Sequence, residues 1–198
     1  VDMSNQRIQK FSPNGDFVLT FGDCKEEKQR LGMVFSSSID NEDNLWIADT
    51  SHHRIQIYDS NGSLVNSVAP KDLKHPVGIC CLENGEYLVA DQSEDLMKRY
   101  DSSGNLLARL NRKDIDFGDL YISTFNQTYG IFASDHWSSR IIHLDPSLNI
   151  QGIYGNSGKR TGQFNRIGWM DTLDDLLAVA DMCNNRIQFF DLKKTLSI

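Results

Sequence analysis

Four times in this chain an aspartate is followed five residues later by an arginine: Asp2 and Arg7, Asp49 and Arg54, Asp135 and Arg140, Asp181 and Arg186. A carboxylate and a guanidinium so placed can pair through two hydrogen bonds. Catalysis needs one active site, not the same pair in every repeat, so these residues are expected to be structural. Each pair would orient a turn and satisfy its polar atoms. The histidines are His52, His53, His75, His136 and His143. Zinc requires three or four converging ligands, and these side chains are scattered. There is no Gly-rich phosphate loop and no Ser-His-Asp pattern that spacing alone supports. The sequence therefore predicts no catalytic residue, no metal site and no cofactor.

The pairs sit inside a repeated phrase. It reads IADTSHHRIQIYD around Asp49, VADMCNNRIQFFD around Asp181 and VDMSNQRIQKFS from Val1, with looser copies VADQSEDLMKRYD and ASDHWSSRIIHLD. The anchor aspartates Asp2, Asp49, Asp91, Asp135 and Asp181 are 47, 42, 44 and 46 residues apart. A period in that range marks a repeat architecture. Around each anchor, β-branched and aromatic residues alternate with polar ones, the pattern of half-buried strands. A small or polar connection such as Thr50 to His53 joins two of them. Asn14-Gly15, Asn61-Gly62 and Ser103-Gly104 then turn the chain into a further strand. Another strand precedes each full copy, with Phe35, Val77, Tyr121 and Ile167 fourteen residues before the anchors. Tyr58, Tyr100, Leu144 and Phe190 stand nine residues after them. Four antiparallel strands per unit, repeated, predict an all-β fold, a β-propeller of four-stranded blades. One such sheet cannot bury both faces alone, and stacking solves this. The expected blades are 1–22 (partial), 31–68, 75–110, 119–154 and 164–198, with Thr195 to Ile198 as a fourth strand of the last.

Charge and composition narrow the partner class. The chain carries 20 Lys plus Arg against 27 Asp plus Glu. That balance opposes broad phosphate-driven binding to DNA. A local basic set remains in Arg109, Arg112, Lys113, Lys159, Arg160 and Arg166. Four cysteines without a C-x-x-C pair do not form a disulfide scaffold. They fit a reduced, cytoplasmic setting. No apolar run is long enough to span a bilayer, so no membrane contact is expected. Asn61 and Asn126 head glycosylation sequons, but the first doubles as a hairpin turn.

VADMCNNRIQFFD, IADTSHHRIQIYD and IYGNSGKRTGQFNR resemble NHL repeats, whose pattern runs roughly VAD-x-x-N-x-R-I-Q-V-F-D before a glycine-rich link ending G-Q-F. The resemblance covers nearly the whole chain. It departs at Leu96, where arginine is expected, at Ser134 within Ala-Ser-Asp, and after Asp145, where Asn-Gly is missing. WD40 repeats share the period, but no Trp-Asp closes the strands here. The resemblance implies a piece of a six-bladed ring, since the chain starts inside a blade and an open arc would expose an apolar blade face. It also implies a non-catalytic module binding a protein partner, as the substrate-recognition part of a ubiquitin ligase of the tripartite-motif type. Sequence-selective RNA binding by the same face is the alternative it carries. A zinc lyase or calcium lactonase is a further one. Against the zinc site, only His75 lies where a blade begins, aligned with Met33, Asp119 and Asn165.

In such a fold, recognition belongs to the links between blades and the turns after the anchors. The residues expected to touch a partner are Arg30, Phe35, His52, His53, His75, Tyr121, His136, Trp137 and Arg166. Met33, Asn165, Gln92 and Glu94 share those loops. Phe35 and Tyr121 are the aromatic members of their column. Trp137 replaces a small or polar turn residue of the other copies, and an exposed Trp is a strong anchor for a partner. Trp46 and Trp169, inside strands, are expected in the core.

Overall fold

Alternating apolar residues produce strands around each anchor aspartate. The computed structural model describes residues 1–26, 29–93, 95–111, 118 and 120–195, and their side chains except those at 83, 95, 96 and 121–123. The strands are β1 (Ile8–Phe11), β2 (Phe17–Phe21), β3 (Val34–Ile39), β4 (Leu45–Asp49), β5 (Arg54–Tyr58), β6 (Leu64–Val68), β7 (Pro76–Cys81), β8 (Tyr87–Asp91), β9 (Asp95–Tyr100) and β10 (Leu106–Asn111). They continue with β11 (Leu120–Asn126), β12 (Gly130–Asp135), β13 (Arg140–Leu144), β14 (Ile150–Tyr154), β15 (Ile167–Leu173), β16 (Leu176–Asp181) and β17 (Arg186–Asp191). Each sheet takes its strands in chain order: β1-β2, β3 to β6, β7 to β10, β11 to β14, and β15-β16-β17. The anchor aspartate ends the second strand of each full sheet. Asp49 pairs with Arg54, Asp135 with Arg140 and Asp181 with Arg186 across the turn.

The turns explain the composition around the anchors. Residues 50–52 and 182–184 form single 3-10 turns, each closed by a left-handed residue, His53 (φ 52) or Asn185 (φ 52). Gln6 (φ 53) and Ser139 (φ 57) repeat this in two other copies. Short polar side chains tolerate that region better than apolar ones. Gly62 (φ 79) turns β5 into β6, and a Cβ there would come within 2.7 Å of the Phe21 ring. The fourth repeat lacks a glycine at its turn. Leu148 (φ 67) adopts the left-handed conformation instead, and Asp145 Oδ1 accepts the N–H of Ser147 and Asn149 at 2.9 Å each.

The chain divides into two compact units, Val1–Val89 with Arg99–Leu106, and Ala90–Lys98 with Leu107–Ile198. In the first unit, Ile8, Leu31, Val34, Ile47 and Tyr58 form one core. Trp46, Ala48, Ile55, Ile57, Ile79, Tyr87, Val89 and Tyr100 belong to a second. In the second unit, Phe132, Ile141, Phe164, Ile167, Met170, Leu177, Val179 and Leu192 pack together. Every residue of β8 and β12 is buried.

Two expectations need correction. Trp169 is 58% exposed. The pairing of β15 with β16 shifts between Ile167 and Met170, so both of those turn inward and Trp169 turns out. Trp46 is in the core as expected, its Nε1 donating to Asp40 Oδ2 at 2.7 Å. Thr195 does not open a fourth strand. It ends a helical turn, α1 (Leu192–Thr195), while residues 196–198 lie outside the described ones. Buried Leu192 donates its N–H to Asp175 O at 2.8 Å, which draws the chain away from β17.

Ser134 is one of several residues with a buried polar atom left unsatisfied among the described residues. Ser134 occupies the position before the anchor where three full repeats have Ala48, Ala90 and Ala180. Its hydroxyl is buried without a hydrogen-bond partner. An orphaned buried hydroxyl costs about 1–3 kcal/mol. Ser134→Ala should therefore raise stability by about 1 kcal/mol, read as a higher urea midpoint with unchanged slope. A lower midpoint would refute this.

Candidate functional site

The repeated Asp-Arg pairs form. Arg7 Nε, Arg54 Nε and Arg186 Nε each donate to one carboxylate oxygen at 2.8, 2.9 and 2.7 Å, and Arg140 Nη2 does so at 2.8 Å. In Arg186 and Arg54 further donors turn to the link before the same sheet. Arg186 reaches Lys159 O at 2.7 Å, and Arg160 O and Gln163 O at 2.9 Å each. Arg54 Nη2 reaches Arg30 O at 2.8 Å. The carboxylates bind the same links: Asp49 accepts from Gly32 N–H at 3.0 Å and Asp181 from Asn165 N–H at 2.7 Å. Burial opposes ionisation of Asp181. The hydrogen bonds from Asn165, Asn184 and Arg186 outweigh it and hold its carboxyl below the ordinary aspartate range. The Asp49–Arg54 and Asp181–Arg186 pairs are thus clamps joining turn and link on one edge of their sheets.

The third repeat keeps this clamp in another form. Its arginine position holds Leu96, but Lys98 Nζ lies 2.9 Å from Asp91 Oδ2, with side chains 2% and 0% exposed. A residue two positions along a strand lies on the same face, so Lys98 reaches the same acid. The equivalent residue in the last repeat, Gln188, also donates to its anchor, Asp181.

Three of the expected partner-binding residues converge in the second unit. Trp137, in the turn after Asp135, is 53% exposed. The Arg166 guanidinium lies 4.6 Å from its ring centroid. The His136 ring meets it edge-on at 5.1 Å and 89°. His136 and the Arg166 main chain are held by hydrogen bonds. His136 Nδ1–H donates to Ile167 O at 2.7 Å, which fixes its tautomer. Arg166 is left-handed (φ 60), and its N–H donates to Ser139 Oγ at 3.1 Å. Met182 N–H donates to Arg166 O at 3.0 Å. The exposed guanidinium has no hydrogen-bonded partner among the described residues, so its donors face solvent over an aromatic plate. That arrangement can grip an acceptor-rich group and stack a flat or apolar one.

No family model matches the chain. It is 32% identical over 92 residues to Protein brain tumor of Drosophila melanogaster, across 46% of this chain and 9% of that protein. The chain thus spans only a small part of the relative it matches. Among solved structures, a protein of unknown function from Bacteroides caccae superposes with TM-score 0.72 at 14% identity, over 96% of this chain and 72% of that one. The Pan2 WD40 domain of Neurospora crassa gives TM-score 0.66 at 14% identity, over 96% and 57%. Virginiamycin B lyase from Staphylococcus aureus gives 0.67 at 10%, over 96% and 64%. The chain is a β-propeller of NHL-like repeats. At these identities the solved structures share its fold alone.

The propeller places the other candidates differently. In the first unit, His52 is bound to its own anchor, Nδ1–H donating to Asp49 Oδ2 at 2.9 Å. His53 is the exposed left-handed residue of that turn. Arg30 is exposed and lends its carbonyl to Arg54. Phe35 is half-buried on β3, and His75 is exposed before Pro76. The Tyr121 side chain, and Glu94, Arg112, Lys113 and Asp119, lie outside the described residues. Sequence reasoning missed Lys98 and Ser139. Lys98 was legible only as a lysine on the same strand face. Ser139 carries no signal beyond that of a small turn residue. Among the described residues no three His, Cys, Asp or Glu side chains are grouped to hold a metal, and no helix is long and apolar enough to cross a membrane.

Proposed function

We propose that this propeller is a non-catalytic interaction module that binds a protein partner at the turn-and-link edge, with Trp137 and Arg166 at the centre of the contact. The carrying observation is the exposed Trp137 ring under a solvent-facing guanidinium, beside a His136 ring and an Arg166 main chain that are both held by hydrogen bonds. Exposed aromatic and arginine side chains are the anchors that dominate protein interfaces. The Asp-Arg and Asp-Lys pairs support the non-catalytic reading, since their atoms are engaged in clamping the fold. On this reading the parent is a cytoplasmic ubiquitin ligase of the tripartite-motif type, and this region selects its substrate.

RNA is the second reading, favoured by the same pair: a base can stack on Trp137 while Arg166 holds a phosphate. The net charge of −7 weighs against it. Affinity capture from cell extract, with and without ribonuclease, separates the two. The expected result is a ribonuclease-resistant protein whose recovery falls about tenfold or more in Trp137→Ala, the loss typical of an aromatic anchor. Thermal stability should hold, because the substituted residue is exposed. Selective, salt-sensitive retention from a randomised RNA pool, lost in the same variant, would replace the protein reading with RNA.

A further inference from the structure

Links join each sheet to the next at 22–33, 69–75, 112–119 and 155–166. The first three mix charge signs: Asp23 with Lys25, Asp72 with Lys71, and Asp114 with Arg112. The link at 155–166 carries Lys159, Arg160 and Arg166 and contains no Asp or Glu. In a chain of net charge −7 this is a local reversal of sign.

The neighbouring turns keep that reversal. Residues 136–139 and 182–185 contain no acid. The carboxylates that precede them, Asp135 and Asp181, have side chains 0% exposed and are paired with Arg140 and Arg186. Lys159, Arg160 and Arg166 are exposed and have no ion-pair partner among the described residues. Pairing thus hides the negative charge of this edge and leaves positive charge facing water. The carbonyls of Lys159 and Arg160 accept from Arg186, which holds the backbone carrying both side chains. Apolar surface lies on the same edge. Trp137 is exposed under the Arg166 guanidinium, and Met182, 46% exposed, donates its N–H to Arg166 O.

We infer that this site takes an extended acidic segment of its protein partner. Carboxylates of the segment meet Arg166, Arg160 and Lys159, and a neighbouring aromatic or aliphatic side chain lies on Trp137. The inference rests on the protein-binding reading above and names the chemistry of that partner. Arginine offers parallel donors to a carboxylate and stays charged beside an aromatic ring. A short acidic segment can end within the basic patch. A nucleic acid strand running past it meets the negative charge of the rest of the chain.

Selection of a random peptide display library on the 198-residue chain tests this. The selected peptides should be rich in Asp and Glu around an aromatic residue or leucine. Labelled copies should bind less tightly as salt rises, because exposed charges are screened. Trp137→Ala should weaken them about tenfold or more. Lys159→Gln with Arg160→Gln should weaken them about two- to fivefold per charge and flatten the salt dependence. The link bonds of Arg186 use only the carbonyls of these two residues, so circular dichroism should not change. Arg166→Gln alone should also reduce the preference for acidic peptides. A neutral consensus lost in Trp137→Ala would overturn the inference and leave the protein-binding reading standing. Acidic peptides that bind the double variant with the parent's salt dependence would overturn it as well. So would a selection that yields no peptide while ribonuclease-resistant capture succeeds. Failure of both, with a randomised RNA pool retained through Trp137, would remove the protein-binding reading itself.

Discussion

Lys98→Met should lower stability by about 3–5 kcal/mol, the cost of leaving one member of a buried ion pair without the other. Asp91 and Lys98 are almost wholly excluded from water, and 2.9 Å separates their charged atoms. Methionine keeps the length and apolar stem of the lysine, so little packing is lost and the effect isolates the charge. The uncompensated carboxylate must then be solvated or protonated inside the protein. Chemical denaturation provides the measurement, and a loss this large is a sizeable fraction of a domain's stability. A companion variant controls the interpretation. Lys98→Gln with Leu96→Arg rebuilds the residue set of the second and fifth repeats and should recover most of the loss. A loss below about 1 kcal/mol in Lys98→Met would place the pair among weak surface bridges and sink the clamp argument.

That lysine also shows where sequence reading stops. The strands were legible because apolar alternation and the spacing between anchors agree. The turns were legible because left-handed backbone selects particular residues. Lys98 escaped because a search at the arginine spacing finds only Leu96, whereas a strand face recurs every two residues. Trp169 escaped because a register shift in β15 has no signature in residue type. The tail escaped because Leu192 finds a buried place that the aligned turns do not offer. In the candidate site, Trp137 stood out as the large residue among Ser4, Ser51, Ser93 and Cys183 in its column. His136 did not reveal its role. Its ring serves the backbone of the next sheet, as Thr50 does by donating to Pro76 O at 2.6 Å. Both are clamps between repeats rather than groups waiting for a ligand.

Arg186→Met should cost about 2–3 kcal/mol, discounted because the side chain is 31% exposed. The effect should spread beyond the turn. Arg186 joins Asp181 to three carbonyls of the link that precedes β15, and without it each of those carbonyls loses one donor. Amide hydrogen exchange at Gly158, Gln163 and Phe164, which close that link through bonds to Phe164 O, Arg160 O and Asn156 O, should accelerate. The acid limb of stability should also flatten. In the folded chain the Asp181 carboxyl is held below its ordinary range, partly by Arg186. Its contribution is present above the unfolded aspartate value, about pH 4, and is lost as pH falls through the lower folded value. Removing Arg186 narrows that gap, so the variant should lose less stability than the parent on acidification. Arg166 lies at the end of the same link, so partner capture should weaken although neither Trp137 nor Arg166 has changed. Unaltered exchange in residues 158–164 together with unaltered capture would show that the clamp does not position the site.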